Sequence, residues 1–219
     1  MAAELRASHA QARSYDLRER KRTRTRLMIQ TEALRLFIEK GYAQTTVEEI
    51  ADAAAISPRT FFRYFPSKED VVIWDEYDPL ALELIAARPE DEPLAETFRA
   101  VVRETLGGLY RRDPERLLTR VRLALTVPEV RARFLDQQTH GIEQLTELGR
   151  LLNTKRSTSV DDLTLGVLGS AILATVTVAL DAWQRDGGKT DLLALLDQAT
   201  AALASGACEL SASAAKTSA

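Results

Sequence analysis

The sequence predicts an all-α fold: an N-terminal head of three helices carrying a helix-turn-helix, then a larger helical body, nine to ten helices in all. Three observations carry this reading. Ala and Leu dominate a chain of 219 residues that holds seven prolines. Apolar residues recur at helical spacing, with no β-rich stretch and no internal repeat. Ser, Thr, Asp, Pro and Gly stand at the positions where helices start and stop.

Taken in order, residues 1–17 read as a disordered arm rich in Ala and polar residues. A helical pattern runs from about Arg22 to Lys40, with Met28 or Ile29, Ala33, Leu36 and Phe37 on one face, and Gly41 ends it. Thr45 with Glu48, or Thr46 with Glu49, forms a capping box for a short helix reaching about Ala54. Ser57-Pro58 opens the next helix, which Pro66 closes. Ser67 caps a fourth, expected to run to about Ala87 with a break near Asp78-Pro79. Longer helices follow over about Pro93–Arg111, Asp113–Thr126, Pro128–Leu152, Val160–Asp186 and Asp191–Ala207. The expected domains are the helix-turn-helix head over 18–66 and the body over 67–210, with a disordered tail over 211–219.

Composition excludes several function classes. Apolar residues make up 45% and charged residues 28%, so the chain buries a core and is not a disordered polyelectrolyte. One cysteine, Cys208, excludes an internal disulfide framework and a cysteine metal cluster. His9 and His140 are the only histidines, too few for a histidine metal site or a Ser-His-Asp relay. No phosphate-cradling glycine loop, zinc-binding His-Glu-x-x-His or nucleophile elbow occurs. No metal, cofactor or enzymatic turnover is therefore expected. Leu163 to Leu180 is uncharged and as long as the shortest membrane spans, but it holds two glycines, a serine and three threonines. It reads as a buried helix, so no membrane is expected, and without a targeting segment the cytoplasm, beside the nucleoid, is the default compartment.

Charge is unevenly placed. Residues 1–70 carry 13 Lys/Arg against 10 Asp/Glu, while the remainder is acidic and the whole chain has a net charge of −3. Arg18 to Arg26 alone holds six bases and one acid. A basic segment ahead of an acidic body suits local contact with phosphates rather than coating of nucleic acid by the whole molecule. In a helix-turn-helix the second helix enters the major groove while the first crosses the backbone. Here that second helix is 57–65. Phe61 and Phe65, four apart, face the core, leaving Arg59, Thr60, Arg63 and Tyr64 outward. Arginines there suit guanine or phosphate, and hydroxyls such as those of Tyr64 and Thr46 suit phosphate oxygens. Lys68 stands at the start of the next helix, where charge and amide dipoles both attract phosphate. Arg24, Thr45, Ser57 and Pro58 complete the candidate DNA-binding set.

Residues 29–70 resemble the DNA-binding domain of TetR-family transcriptional regulators. The resemblance rests on Ala33 to Phe37, Gly41-Tyr42, Thr45 to Ala51 and Ser57 to Asp70. It implies a dimeric, all-helical regulator whose phosphate and base contacts map to Thr46, the start of helix 57–65, Tyr64 and Lys68, with an inducer pocket in the body. Two positions depart from the family. Ala55 stands where glycine is usual: either it adopts a left-handed backbone at about 1–2 kcal/mol, or the turn is built differently, which is the expectation here. Phe62 stands where tyrosine is frequent, and Arg63 is expected to compensate for the lost hydroxyl. The body resembles actinobacterial members similar to the regulator of mycofactocin genes, through Arg88 to Pro93, Arg120 to Pro128 and Ala182 to Gly187. Such relatives respond to acyl-CoA-like or other small ligands.

A recognition helix alone reads few base pairs, so a homodimer on a palindrome is expected, paired through the last two long helices. Gly166, Gly169, Ala171 and Ala174 are expected to permit the close approach. Candidate ligand-facing residues of the body are Trp74, Phe98, Tyr110, Arg122, Phe134, His140 and Trp183. The leading reading is a repressor released from palindromic double-stranded DNA by a small-molecule inducer. An architectural or constitutive DNA-binding protein without an inducer is the alternative.

Overall fold

The structure, a computed structural model, describes residues 2–74, 83–85, 87–89, 91–156 and 160–203; side chains at 2–17, 94, 95, 98 and 154–156 lie outside the description. The fold is all-helical. It divides into two compact units, Met1–Glu76 and Tyr77–Ala219. The head holds α1 (Ala2–Lys40), α2 (Val47–Ala53), α3 (Pro58–Tyr64) and α4 (Lys68–Ile73). The body holds α5 (Leu94–Arg112), α6 (Pro114–Thr126), α7 (Pro128–Arg156), α8 (Asp162–Arg185) and α9 (Leu192–Leu203), with a helical turn at 83–85. The expected tail over 211–219, the break near Asp78-Pro79 and the end of the last helix near Ala207 lie outside the described residues.

Two features of the head lie beside the bounds read from the sequence. The segment expected to be a disordered arm is helical from Ala2, because no glycine or proline interrupts residues 1–40 and Ala, Leu, Arg, Glu and Gln dominate them. The boundary expected at 66 falls after 76, because α4 belongs to the head. Val71 and Val72 of α4 are buried. Gln30 of α1, wholly buried, donates through Nε2 to Val71 O at 2.6 Å and to Trp74 O at 3.0 Å. Satisfying a buried amide in this way makes it a specific pin between two helices.

The helix-turn-helix is built by caps. Of the two possible capping boxes the chain uses Thr46 with Glu49: Glu49 N–H donates to Thr46 Oγ1 at 3.2 Å and Thr46 N–H to Glu49 Oε2 at 3.0 Å. Lys40 and the helix-capping hydrogen bonds hold the Glu49 carboxyl below its usual range. Ser57 caps α3, taking the Thr60 N–H at 3.1 Å, with Pro58 at its first turn. Between α2 and α3, Ala55 has φ +51°. Ala55 N–H reaches Asp52 O at 3.0 Å and Ile56 N–H reaches Ala51 O at 2.9 Å, the paired bonds of a Schellman stop. The turn is therefore not built differently: the alanine occupies the left-handed position. Ala55→Gly removes about 1–2 kcal/mol of backbone strain and adds about 0.5–1 kcal/mol of chain entropy cost. The variant is expected to raise the thermal midpoint of the head by a few degrees in calorimetry; an unchanged or lower midpoint would show the strain to be relieved by its surroundings.

The body core is Leu109, Leu117, Val121, Ala179, Trp183, Leu192 and Leu196, contributed by α5, α6, α8 and α9. A second cluster joins Ile85, Val101 and Leu152. Gly149 sets the approach of α7 to α8: a Cβ there would lie 2.6 Å from Leu165 Cδ2. Gly166 and Gly169, expected to face a partner chain, instead face α7; a Cβ on Gly169 would stand 3.4 Å from Leu145 Cβ. Gly169 lies one turn from buried Leu165, on the side of α8 that packs on α7. Leu163, Val167 and Val178 are 79%, 58% and 64% exposed, and Ala174 between them is also exposed. Helix α8 is long and apolar enough to cross a membrane, and its own chain buries only one side of it.

Candidate nucleic-acid interface

Helix α3 has one buried and one open face because its aromatics are spaced for it. Phe61 is wholly buried and Phe65 nearly so, 6.0 Å apart between ring centres. Arg59 and Arg63 are exposed, Thr60 and Tyr64 half-buried. The Ser57 and Thr60 hydroxyls are 2.9 Å apart at the helix start. Arg63 Cζ lies 5.3 Å from the Tyr64 ring centre, which steers the guanidinium along the helix surface. Arg24 is exposed on α1, and Thr46 is exposed at the start of α2. These side chains, with Ser57 and half-buried Pro58, carry donors and hydroxyls that suit phosphates and base edges.

Two candidates from the sequence are placed otherwise. Thr45 is buried, and its hydroxyl donates to Gly41 O at 2.9 Å and lies 3.4 Å from Leu36 O. It fixes the loop between α1 and α2 and does not face outward, because the capping role falls to its neighbour. Lys68 Nζ donates to Tyr42 O at 2.9 Å and Thr45 O at 3.0 Å, and lies 4.1 Å from the Tyr42 ring centre. Two of its three hydrogens tie α4 to that same loop, leaving one for a phosphate. Tyr42 in turn donates its hydroxyl to Glu69. Burial pushes the Glu69 carboxyl up, but this bond and the local amides bring it below its usual range.

At Phe62 the family resemblance implies only a missing hydroxyl. The structure leaves the residue 53% exposed on α3, edge-on to Phe61 at 5.4 Å. An exposed ring there suits apolar contact with a thymine methyl. Its exposure was legible from its offset relative to Phe61 and Phe65.

The body candidates separate. Trp183 is 1% exposed, and its indole N–H has no hydrogen-bond partner. Tyr110 packs edge-on against it at 5.6 Å. Phe134 is half-buried. Trp74 belongs to the head, packed edge-on to Phe65 at 6.0 Å, because the head extends through α4. Arg122 is exposed; the inward arginine of α6 is Arg120, two residues earlier, so the helix phase differs from that expected. His140 is exposed, with Nδ1 3.0 Å from Asp136 O of its own helix, a contact that, with the nearby Asp136 charge, raises its basicity. Phe98's side chain lies outside the described residues.

Residues 29–73 match the family described as bacterial regulatory proteins, tetR family, and residues 92–207 match the MftR C-terminal domain. The transcriptional regulator TcmR of Streptomyces glaucescens is 36% identical over 153 residues, 67% of this chain; the chain spans 66% of that relative's length. FadR of Thermus thermophilus, a TetR-family repressor solved in complex with lauroyl-CoA, is 26% identical with a TM-score of 0.53, covering 80% of this chain and 90% of its own. The fatty acid degradation regulator FadR of Bacillus halodurans shares the fold at 23% identity and a TM-score of 0.55, over 80% of this chain and 92% of its own. Two family matches, one over each unit, together account for most of the described residues, and the chain belongs to the TetR family of bacterial regulatory proteins.

Proposed function

We propose that the protein is a ligand-responsive transcriptional repressor that binds a palindromic operator as a homodimer and is released by a small amphipathic effector. The observation that carries the DNA reading is the division of α3, with Phe61 and Phe65 sealed inside while Arg59, Phe62 and Arg63 stand exposed. Such a helix spends its buried face on orientation and leaves its other face for base edges and phosphates. The exposed row Leu163, Val167, Ala174 and Val178 on α8 is the surface we assign to the second subunit. Two heads related by a two-fold axis read half-sites about 34–36 Å apart, or a multiple of that. Effector binding releases DNA when it favours a body shape that places the heads at the wrong separation.

The similarity to a repressor that holds lauroyl-CoA supports an acyl-thioester as the first effector class to try. The body's aliphatic core around Trp183 and Tyr110 suits an acyl tail.

The test is fluorescence anisotropy on DNA from the gene's own upstream region, beside scrambled duplex, over a salt series, with and without lauroyl-CoA. A preference of about a thousandfold or more, lost on adding the effector, is expected. Tight binding with no sequence preference would sink the repressor reading. In the same assay Arg59→Ala is expected to weaken operator binding by about 10–100-fold and scrambled binding by much less, the signature of a base contact. An equal loss on both duplexes would move Arg59 to the phosphates.

A further inference from the structure

We infer that Arg26 is a DNA phosphate ligand of the head, its guanidinium held open for a phosphodiester by the Phe65 and Trp74 rings beside Tyr64. This rests on the DNA-binding reading above and adds a contact from α1. Arg26 Cζ lies 5.9 Å from the Phe65 ring centre and 5.6 Å from that of Trp74. Phe65 caps the end of α3 and Trp74 the end of α4, so one side chain of α1 bears on both. Its Nε is buried without a hydrogen-bond partner.

Among the described residues no carboxylate forms an ion pair with it. The acidic side chain whose charge reaches it is Glu19, which stands 4.0 Å from Arg22 instead. Burial and the charge of Arg22 both work against its protonated state. Tyr64, whose ring Arg63 overlies, is the other polar neighbour felt by Arg26.

Aromatic faces attract a guanidinium and fix its plane, but they satisfy none of its five N–H donors. Among the described residues the arrangement lacks an oxyanion, and a planar fork suits two oxygens of one phosphate. Arg22 and Arg26 repel each other, and Arg26 and Arg63 both interact with Tyr64, which concentrates positive charge at the C-terminal end of α3. A polyanion supplies the missing partner without burying an acidic side chain in the head. The basic run from Arg18 leads along α1 to the same point. A phosphate held there also presses Phe65 and Trp74 together from one side, fixing α3 against α4 while bases are read.

The test compares the full chain with Arg26→Lys, Arg26→Gln and Arg26→Met on upstream and scrambled duplexes over a salt series. Arg26→Met keeps an apolar stem between the rings, and the thermal midpoint of each variant is recorded. Gln and Met are expected to weaken binding to both duplexes about tenfold and to flatten the slope of log affinity against log salt by about 0.9 per subunit. The ratio between duplexes stays constant, because a phosphate contact carries no sequence information. Lys keeps most of the slope. Lost affinity with an unchanged salt slope would make Arg26 a packing residue and overturn the proposal, as would unchanged affinity or a collapsed ratio. A parent chain that shows no operator preference, yet loses salt slope in these variants, would sink the repressor reading and leave this one standing.

Discussion

A chain carrying Val167→Asp and Val178→Asp is expected to run as a monomer in analytical ultracentrifugation and to bind operator roughly a thousandfold more weakly, near its non-specific level. The two positions are eleven residues apart, three helical turns, so they lie on one line along α8. Leu163 extends that line toward the helix start, and Ala174 lies between. This exposed apolar row, interrupted by Ser170, is the surface we assign to the second subunit. In a two-fold interface the same row contributes from both subunits, so the two substitutions bring four carboxylates into one buried seam, and charge repulsion adds to the cost of burial. The fold should survive, because both side chains are directed away from the core packed by Ala179 and Trp183. Retained helicity and thermal midpoint with a lost dimer is the expected pair of results. A persistent dimer would move the interface to another exposed apolar group, such as that around Leu135 or Leu151.

What the sequence made legible was what local chemistry decides. Thr46 with Glu49, Ser57-Pro58, Ser67 and Asp113-Pro114 each satisfy orphan amides within a few residues, so the helix starts stood out from spacing alone. The outward face of α3 was legible for the same reason, once Phe61 and Phe65 were put inside. What depends on neighbours distant in sequence was not legible. Nothing in the order of residues says that Lys68 spends its ammonium on Tyr42 and Thr45 carbonyls, twenty-six and twenty-three residues back. Arg120 and Arg122 are alike in the sequence, and only packing decides which of them α6 turns inward. In α8 the glycines suit close approach, but the sequence does not say to which neighbour, and in the fold they face α7 of the same chain. Ala55 shows the opposite error: the strain was recognised as a possibility, and the paired bonds of the α2 stop impose it regardless of the residue.

Trp183→Ala is expected to cost the body about 3–5 kcal/mol, a large part of the roughly 5–15 kcal/mol that holds a domain folded. The indole is the largest fully buried side chain, central to a cluster drawn from four helices. Its removal leaves a cavity that Leu117 and Val121 of α6 and Leu192 of α9, on two different helices, cannot close together. Trp183→Phe should behave quite differently. It keeps a ring for Tyr110 to pack against and deletes the N–H that has no partner, and an unsatisfied buried donor costs about 1–3 kcal/mol. That relief offsets the lost volume, so stability measured by urea unfolding should change by no more than about 1 kcal/mol. The Phe variant therefore separates packing from recognition. If the indole N–H is the donor that meets an effector's carbonyl, Trp183→Phe will still bind operator with parental affinity and will need about tenfold more lauroyl-CoA for release, the cost of one hydrogen bond. If release is unchanged, the orphan donor is tolerated by the core alone, and the effector takes its polar contacts from another wall, where Arg120 is the buried cation of α6.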